Sequence, residues 1–121
     1  MKIYFPHSKQ LEYEAYYEMI RNSSLFSQHT CILPYEKSKK PENSQSIIQS
    51  CDLVIAEVSY PGTGLGIELG WANSVKKLII CIYKYDFHPA ASLKYVSHDF
   101  ISYQDWDELI IKLEKVLKNN I

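Results

Sequence analysis

The residue of this chain best placed to do chemistry is Glu68, in the run Gly64-Leu65-Gly66-Ile67-Glu68-Leu69-Gly70. A carboxylate can attack an electrophilic carbon, take or give a proton, or complement the positive end of a helix. Glu68 follows a turn from Ser59 to Gly66 that holds Pro61, Gly62, Gly64 and Gly66. Such a turn bends sharply and lets a ligand approach the backbone. Before it runs Leu53-Val54-Ile55-Ala56-Glu57-Val58, short and largely apolar, as in a strand covered on both faces. A strand feeding a glycine-rich turn into a helix is how open α/β sheets build a site. The spacing puts Glu68 in the first helical turn, where the positive helix end favours a negative charge. The same residues also fit a plain strand–loop–helix unit, with glycines for packing and Glu68 only complementing the dipole.

A second group lies near the N-terminus. Tyr4 lies in the aromatic, β-branched run from Lys2 to Phe5, and His7, Ser8, Lys9 and Gln10 follow Pro6. A serine hydroxyl, a lysine and backbone N–H groups at a helix start make a phosphate cradle. His7, His29, His88 and His98 have no ligand spacing and read as loop or edge histidines, with only His7 near the site. Cys31, Cys51 and Cys81 are odd in number, widely spaced and without a C-x-x-C pattern. They read as buried free thiols of a reducing, cytoplasmic compartment rather than as a disulfide or metal set. No metal or redox cofactor is implied.

The elements that must position these groups alternate along the chain. Lys2 to Phe5 reads as a strand ended by Pro6. Ser8 reads as the N-cap of a helix from Lys9 to Arg21, with Leu11, Ala15, Tyr16, Met19 and Ile20 on its apolar face. Asn22-Ser23-Ser24 breaks that helix, and His29 to Pro34 reads as a second strand. The polar, lysine-rich stretch from Tyr35 to Ser46 reads as a solvated loop, and Gln45 to Ser50 as a weak helix. Strand three and the helix bearing Glu68 follow; Gly70 and Ala72 would let that helix approach the sheet closely. Leu78 to Tyr83 is a fourth strand, Ala90 to Val96 one or two helical turns, and Phe100 to Tyr103 a fifth strand. The last helix carries the stripe Trp106, Leu109, Ile110, Leu113, Val116 and Leu117 behind an Asp105/Glu108 capping box.

Alternating strands and helices with buried strands predict one flavodoxin-like, doubly wound α/β domain over residues 1–121, with a parallel sheet in the order 2-1-3-4-5. The two strands 53–58 and 78–83 should be adjacent and central. A chain of 121 residues buries roughly two thirds of its unfolded surface, enough for a real core. A net charge of −1 carries no electrostatic footprint for nucleic acid. No segment approaches the roughly 20 apolar residues of a membrane span, and the chain starts in a strand pattern rather than a signal peptide. In such a sheet the site lies beyond the strand C-termini at the switch between strands one and three. Pro6 to Gln10, Ser59 to Glu68 and Lys84 to Ser92 should converge there.

The segment from Asp52 to Tyr83, with G-x-G-x-E-L-G sixteen residues after the aspartate of D-L-V-I-A-E-V, resembles the nucleoside 2-deoxyribosyltransferase family. Within it, the branch most resembled is the 2′-deoxynucleoside 5′-phosphate N-hydrolases. The resemblance is moderate from Ile3 to Ser8 and weak elsewhere. It implies that Glu68 is the nucleophile attacking the anomeric carbon of a deoxyribose. It implies that Tyr4 works near the sugar, that Ser8 belongs to a phosphate loop, and that Gly62, Gly64 and Gly66 line the substrate. It further implies a homodimer in which Ser92 is lent to the neighbour's site.

Three departures accompany the resemblance. The family's partner acid or base, eight residues before Asp52, is here Ser44, with Glu42 the nearest acid. Gly62 stands where the transferases carry aspartate and the hydrolases serine. Gln10 replaces a phosphate-gripping arginine, beside Lys9. The implied reaction is retaining cleavage or transfer at an N-glycosidic bond, with Glu42 or Tyr35 as candidate proton donors. A catalytically weak nucleotide-binding module on the same fold is the alternative. An unrelated FMN binder is a third reading, against which the loop after strand one lacks a Ser/Thr-Gly-rich pattern.

Overall fold

The computed structural model describes residues 1–36 and 43–119. Glu42, one of the candidate proton donors, lies outside the described residues. Five strands, β1 (Lys2–Tyr4), β2 (Thr30–Ile32), β3 (Leu53–Glu57), β4 (Leu78–Lys84) and β5 (Asp99–Tyr103), form one sheet in the order β2-β1-β3-β4-β5. Every pairing is parallel. β3 and β4 pair along their length, from Leu53 opposite Leu78 to Glu57 opposite Ile82, as their continuous apolar runs predict.

Alternation along the strands feeds two cores. Ile3, Phe5, Leu53, Ile55, Ile80 and Ile82 face one side, where they meet Tyr16, Tyr17 and Ile20 of α1 (Tyr13–Arg21) and Leu109, Leu113 and Leu117 of α5 (Trp106–Asn119). Tyr4, Val54, Ala56, Ile79 and Cys81 face the other, against Ile48 of α3 (Gln45–Ser50) and Leu65, Leu69 and Ala72 of α4 (Thr63–Ser74). Helices on both faces explain why the central strands show no polar alternation. At the start of α5 the Glu108 amide donates to Asp105 Oδ1 at 2.8 Å.

Five local expectations change. The first helix starts at Tyr13, not Lys9, and Ser8 does not cap it. Ser8 Oγ instead donates to the Pro61 carbonyl at 3.1 Å and accepts from the Gln10 amide at 3.2 Å, which ties residues 8–11 into a turn. The buried face of α1 is Tyr16, Tyr17 and Ile20, while Ala15 is exposed. Asn22 to Ser24 does not lead directly to a strand: a short helix, α2 (Ser24–Gln28), intervenes, capped by Ser23 Oγ accepting from Leu25 N. On α4, Ala72 is fully buried and gives the close approach to the sheet, whereas Gly70 is exposed and a Cβ there would touch nothing.

The fifth change concerns Glu68. α4 begins at Thr63 with Gly62 as its N-cap, so Gly64 and Gly66 lie inside the helix and Glu68 in its second turn. Burial of Leu65, Leu69 and Ala72 along one face outweighs the poor helix propensity of those glycines. The helix end is therefore not what holds Glu68. The C-terminus of α4 is a Schellman motif: Lys76 N–H donates to Asn73 O at 3.0 Å and Lys77 N–H to Ala72 O at 2.9 Å. Lys76 takes the left-handed position, at φ 59°.

Candidate active site

Beyond the C-terminal ends of β1 and β3 lies a cavity of about 750 Å³. It sits at the point where the strand order reverses, the place a doubly wound sheet offers for a ligand. Two of the three stretches expected to converge do so, Ser8 to Gln10 and Pro61 to Glu68. The third, Lys84 to Ser92, does not line it; Lys84 to Asp86 border a separate depression with Tyr103 to Trp106. Its place is taken by β2 with the segment that follows it, Thr30 to Glu36, and by Asn43, Ser44 and Ile47 at the start of α3.

Glu68 is the centre of the polar contacts. Tyr4, carried on β1 and almost fully buried, donates its phenolic hydrogen to Glu68 Oε2. Ser44 donates its hydroxyl hydrogen to the same oxygen. Ser44 occupies the N-cap position of α3, yet its side chain makes no capping bond. The hydroxyl that would ordinarily accept from the first helical turn is turned to Glu68 instead. Oε2 of Glu68 is thus anchored by two hydroxyls, and Oε1 takes no hydrogen bond from the described residues.

Burial, then the neighbouring Glu68 charge, push the Tyr4 phenol well above its ordinary range. Tyr35, also lining the cavity, shifts upward for the same two reasons in the same order. Both phenols therefore stay protonated, and Tyr4 donates to Glu68.

His7 is buried, not a loop histidine. Its Nδ1 lies 2.8 Å from the Ser8 carbonyl and its Nε2 2.7 Å from the Tyr17 hydroxyl. A carbonyl only accepts, so Nδ1 carries the hydrogen and Nε2 accepts from Tyr17. The Tyr17 oxygen in turn accepts from Tyr35 N–H at 3.2 Å. Burial lowers the His7 pKa, and the Ser8 bond only partly opposes this. Rings of Tyr13, Tyr16, Tyr17 and Tyr35 surround it. His7 thus braces the loop that carries Ser8 and the turn after β2 that carries Tyr35.

Of the remaining candidates, Ser8, Lys9, Gly62 and Gly64 line the cavity. Gly66 does not, and a Cβ there would meet nothing. Gly62 packs closely on Ser8: an added Cβ would lie 3.2 Å from Ser8 Oγ. Ser92 is exposed on a 3-10 turn, Ala91–Tyr95, away from this cavity. The sequence alone marks Ser44 only as a missing acid and gives no signal for Trp71 or Asn43, both of which line the cavity. The register eight residues before Asp52 pointed at Ser44; its hydroxyl chemistry became visible only with the fold.

No family model matches the chain. Among curated proteins it is 44% identical over 39 residues to a 5-hydroxymethyl-dUMP N-hydrolase of Branchiostoma floridae, covering 32% of this chain and 37% of the relative. It is 26% identical over 99 residues, 74% of this chain and 69% of the relative, to a Thermofilum pendens protein provisionally named 2′-deoxynucleoside 5′-phosphate N-hydrolase 1. A 5-hydroxymethyl-dUMP N-hydrolase of Rattus norvegicus is 40% identical over 43 residues, 36% of this chain and 26% of that protein. The matched part therefore spans about a third or less of the length of several of these relatives. Among solved structures, a CMP N-glycosidase of Clostridium botulinum superposes with a TM-score of 0.68 at 24% identity, over 94% of this chain and 99% of that one. The beryllofluoride-activated NtrC receiver domain superposes with a TM-score of 0.56 at 14% identity, over 98% and 95%. The structural matches establish the fold, and the curated relatives place the resemblance among nucleotide N-hydrolases.

Proposed function

We propose that this chain cleaves or transfers the N-glycosidic bond of 2′-deoxynucleosides or their 5′-monophosphates, with Glu68 as the nucleophile. The observation that supports it best is the convergence of Tyr4 and Ser44 on one oxygen of Glu68, inside a cavity at the sheet's switch point. Nucleotide N-hydrolase relatives in the curated proteins support the same reaction class.

In this reading the two hydroxyls fix Oε2 and present Oε1 to the anomeric carbon. A glycosyl–enzyme ester forms with inversion, and water or a second base resolves it with a further inversion. Tyr35 and Trp71 supply aromatic surface for the base. Ser8 and Lys9 face the 5′-phosphate; Ser8 already donates to the Pro61 carbonyl, so a phosphate would take over that hydrogen. The chain's own cavity lacks Ser92, and the proposed homodimer supplies it from the neighbour. Light scattering at micromolar concentration tests that assembly, and a monomer rejects it.

Incubation with the four deoxynucleosides and their monophosphates, followed by chromatography of released bases, tests the reaction. Base release that is lost in Glu68→Gln supports it. The second reading, a nucleotide-binding module, is favoured by Ser44 standing where the resemblance expects an aspartate. Calorimetric binding of monophosphates without base release would select it.

A further inference from the structure

The central strand β3 ends on a buried carboxylate. Glu57 is 1% exposed and continues the alternation of Leu53 and Ile55, so its side chain points to the face covered by α1 and α5. It does not line the cavity. An apolar residue would fill this place without the cost of burying a charge. What the carboxylate supplies is acceptors. Oε1 accepts the Ser59 amide hydrogen at 2.7 Å, and Oε2 accepts from the Ser59 hydroxyl at 2.8 Å and from the Tyr103 hydroxyl.

Ser59 opens the loop into α4, and each residue after it is fixed in turn. Ser59 Oγ accepts from the Lys84 amide at 2.8 Å, which ties the start of the loop to β4. The Tyr60 ring packs edge-on against Phe87 at 5.1 Å, and its oxygen accepts from Lys84 Nζ at 3.1 Å. The Pro61 carbonyl then accepts from Ser8 Oγ, and Gly62 packs on Ser8 as the N-cap residue of α4. The Glu57 main chain holds the opposite loop: its N–H donates to the Pro6 carbonyl at 3.1 Å, and His7 pairs beside it in a parallel bridge. One residue thus fixes both of the loops that meet at Ser8 and Pro61.

We propose that Glu57 is a positioning residue for the phosphate end of the site: through Ser59 it sets where Pro61 and Gly62 stand, and so where Ser8 presents its hydroxyl. This rests on the reading above in which Ser8 and Lys9 meet a 5′-phosphate. Glu68 is held separately, by Tyr4 and Ser44. Loosening Ser59 should therefore weaken binding of the phosphate rather than the bond-breaking step.

Three variants separate this role from core filling. Glu57→Leu fills the space and accepts nothing. Glu57→Gln keeps an amide oxygen for the Ser59 amide hydrogen. Tyr103→Phe removes only the donor from β5 and leaves Ser59 held. Calorimetry on each, in a Glu68→Gln background that prevents turnover, compares the four 2′-deoxynucleoside 5′-monophosphates with their nucleosides. In Glu57→Leu the Kd for monophosphates should rise about tenfold, the worth of one hydrogen bond to a charged group, while nucleoside affinity holds. Glu57→Gln should recover part of that loss. Tyr103→Phe should lower the melting temperature and leave both affinities unchanged. Amide hydrogen exchange adds a readout that needs no ligand. The Gln10 amide, bonded to Ser8 Oγ, and the Gly66 amide, bonded to the Gly62 carbonyl at 3.0 Å, should lose protection in Glu57→Leu but not in Tyr103→Phe. If the leucine and phenylalanine variants match in affinities and in exchange, Glu57 only fills the core and the inference falls. If monophosphates bind no better than nucleosides with Glu57 intact, the phosphate reading falls instead, and the exchange comparison decides for Glu57. Should Glu57→Leu fail to fold, Ser59→Ala, which removes the hydroxyl shared by Glu57 and the Lys84 amide, takes its place in both measurements.

Discussion

Ser44 donates its hydroxyl hydrogen to the carboxylate of Glu68, joining the first residue before α3 to the second turn of α4. An aspartate at this position would bring a second negative charge against the Glu68 carboxylate. A serine brings a neutral donor. The substitution therefore alters the proton inventory of the site while keeping Glu68 oriented, since Tyr4 engages the same oxygen from β1.

Glu68→Gln and Glu68→Ala should separate chemistry from stability. Glutamine keeps an amide oxygen to accept from Tyr4 and Ser44, so its unfolding free energy should stay within about 1 kcal/mol of wild type. Alanine leaves two buried hydroxyls without their acceptor and should lose about 1–3 kcal/mol. Both should abolish base release, because neither can form the glycosyl ester. Denaturant melts and a base-release assay on the two variants check this. A glutamine variant that turns over at the wild-type rate would make Glu68 structural.

Monophosphates should bind more tightly than the corresponding nucleosides if Ser8 and Lys9 meet the phosphate. The gap should shrink in Lys9→Ala, with nucleoside affinity unchanged. Calorimetry measures both. Equal affinity of wild type for the two ligand classes would remove the phosphate from the site.

Lys76→Gly should stabilise the protein by about 0.5–1 kcal/mol. Lys76 holds the left-handed position of the Schellman motif at φ 59°, a conformation in which glycine has no Cβ penalty. Exposed and absent from the cavity lining, it should leave activity alone. A destabilised variant in urea melts would mean that the lysine side chain contributes more than the backbone geometry costs.

What was legible in the sequence follows the strength of its periodic signals. β3 and β4 were readable because their runs are apolar on both faces, and α5 because its stripe recurs over the whole helix. Strand order followed from alternation of strands and helices. Helix starts were harder. Ser8 looks like a cap, but Pro61, distant in sequence, claims its hydroxyl. Gly64 and Gly66 look like a turn, but packing of Leu65 and Leu69 on the sheet draws them into α4. That shift moved Glu68 out of the first turn, so its anchoring by Tyr4 and Ser44 replaces the dipole argument. Side-chain bonds across 64 and 24 positions, as these are, leave no local trace in a sequence. The burial of His7 among tyrosines escaped for the same reason: its partners come from α1 and from the segment after β2.

His7 should make the protein's stability depend on pH on the acid side. Its native pKa is lowered from the ordinary 6.5 by burial. As pH falls below 6.5, the unfolded chain takes up a proton that the native ring still refuses. The unfolded state then binds more protons, so stability rises with pH across this window and is lost as pH drops toward the native value. Protonation would also give Nε2 a hydrogen facing Tyr17, whose own hydrogen must then turn away. His29 is lowered as well and adds a slope of the same sign, while buried Glu57, raised from 4.5, adds one of opposite sign. Both are present in wild type and in His7→Gln, so the difference between the two proteins isolates His7. Glutamine should cost about 1–3 kcal/mol at neutral pH through lost ring packing, but its stability should change less between about pH 7.5 and pH 5. Urea melts at a series of pH values measure the two curves. Parallel curves would show that His7 takes up its proton without opposition from the fold, and that its tyrosine cage does not hold the ring neutral.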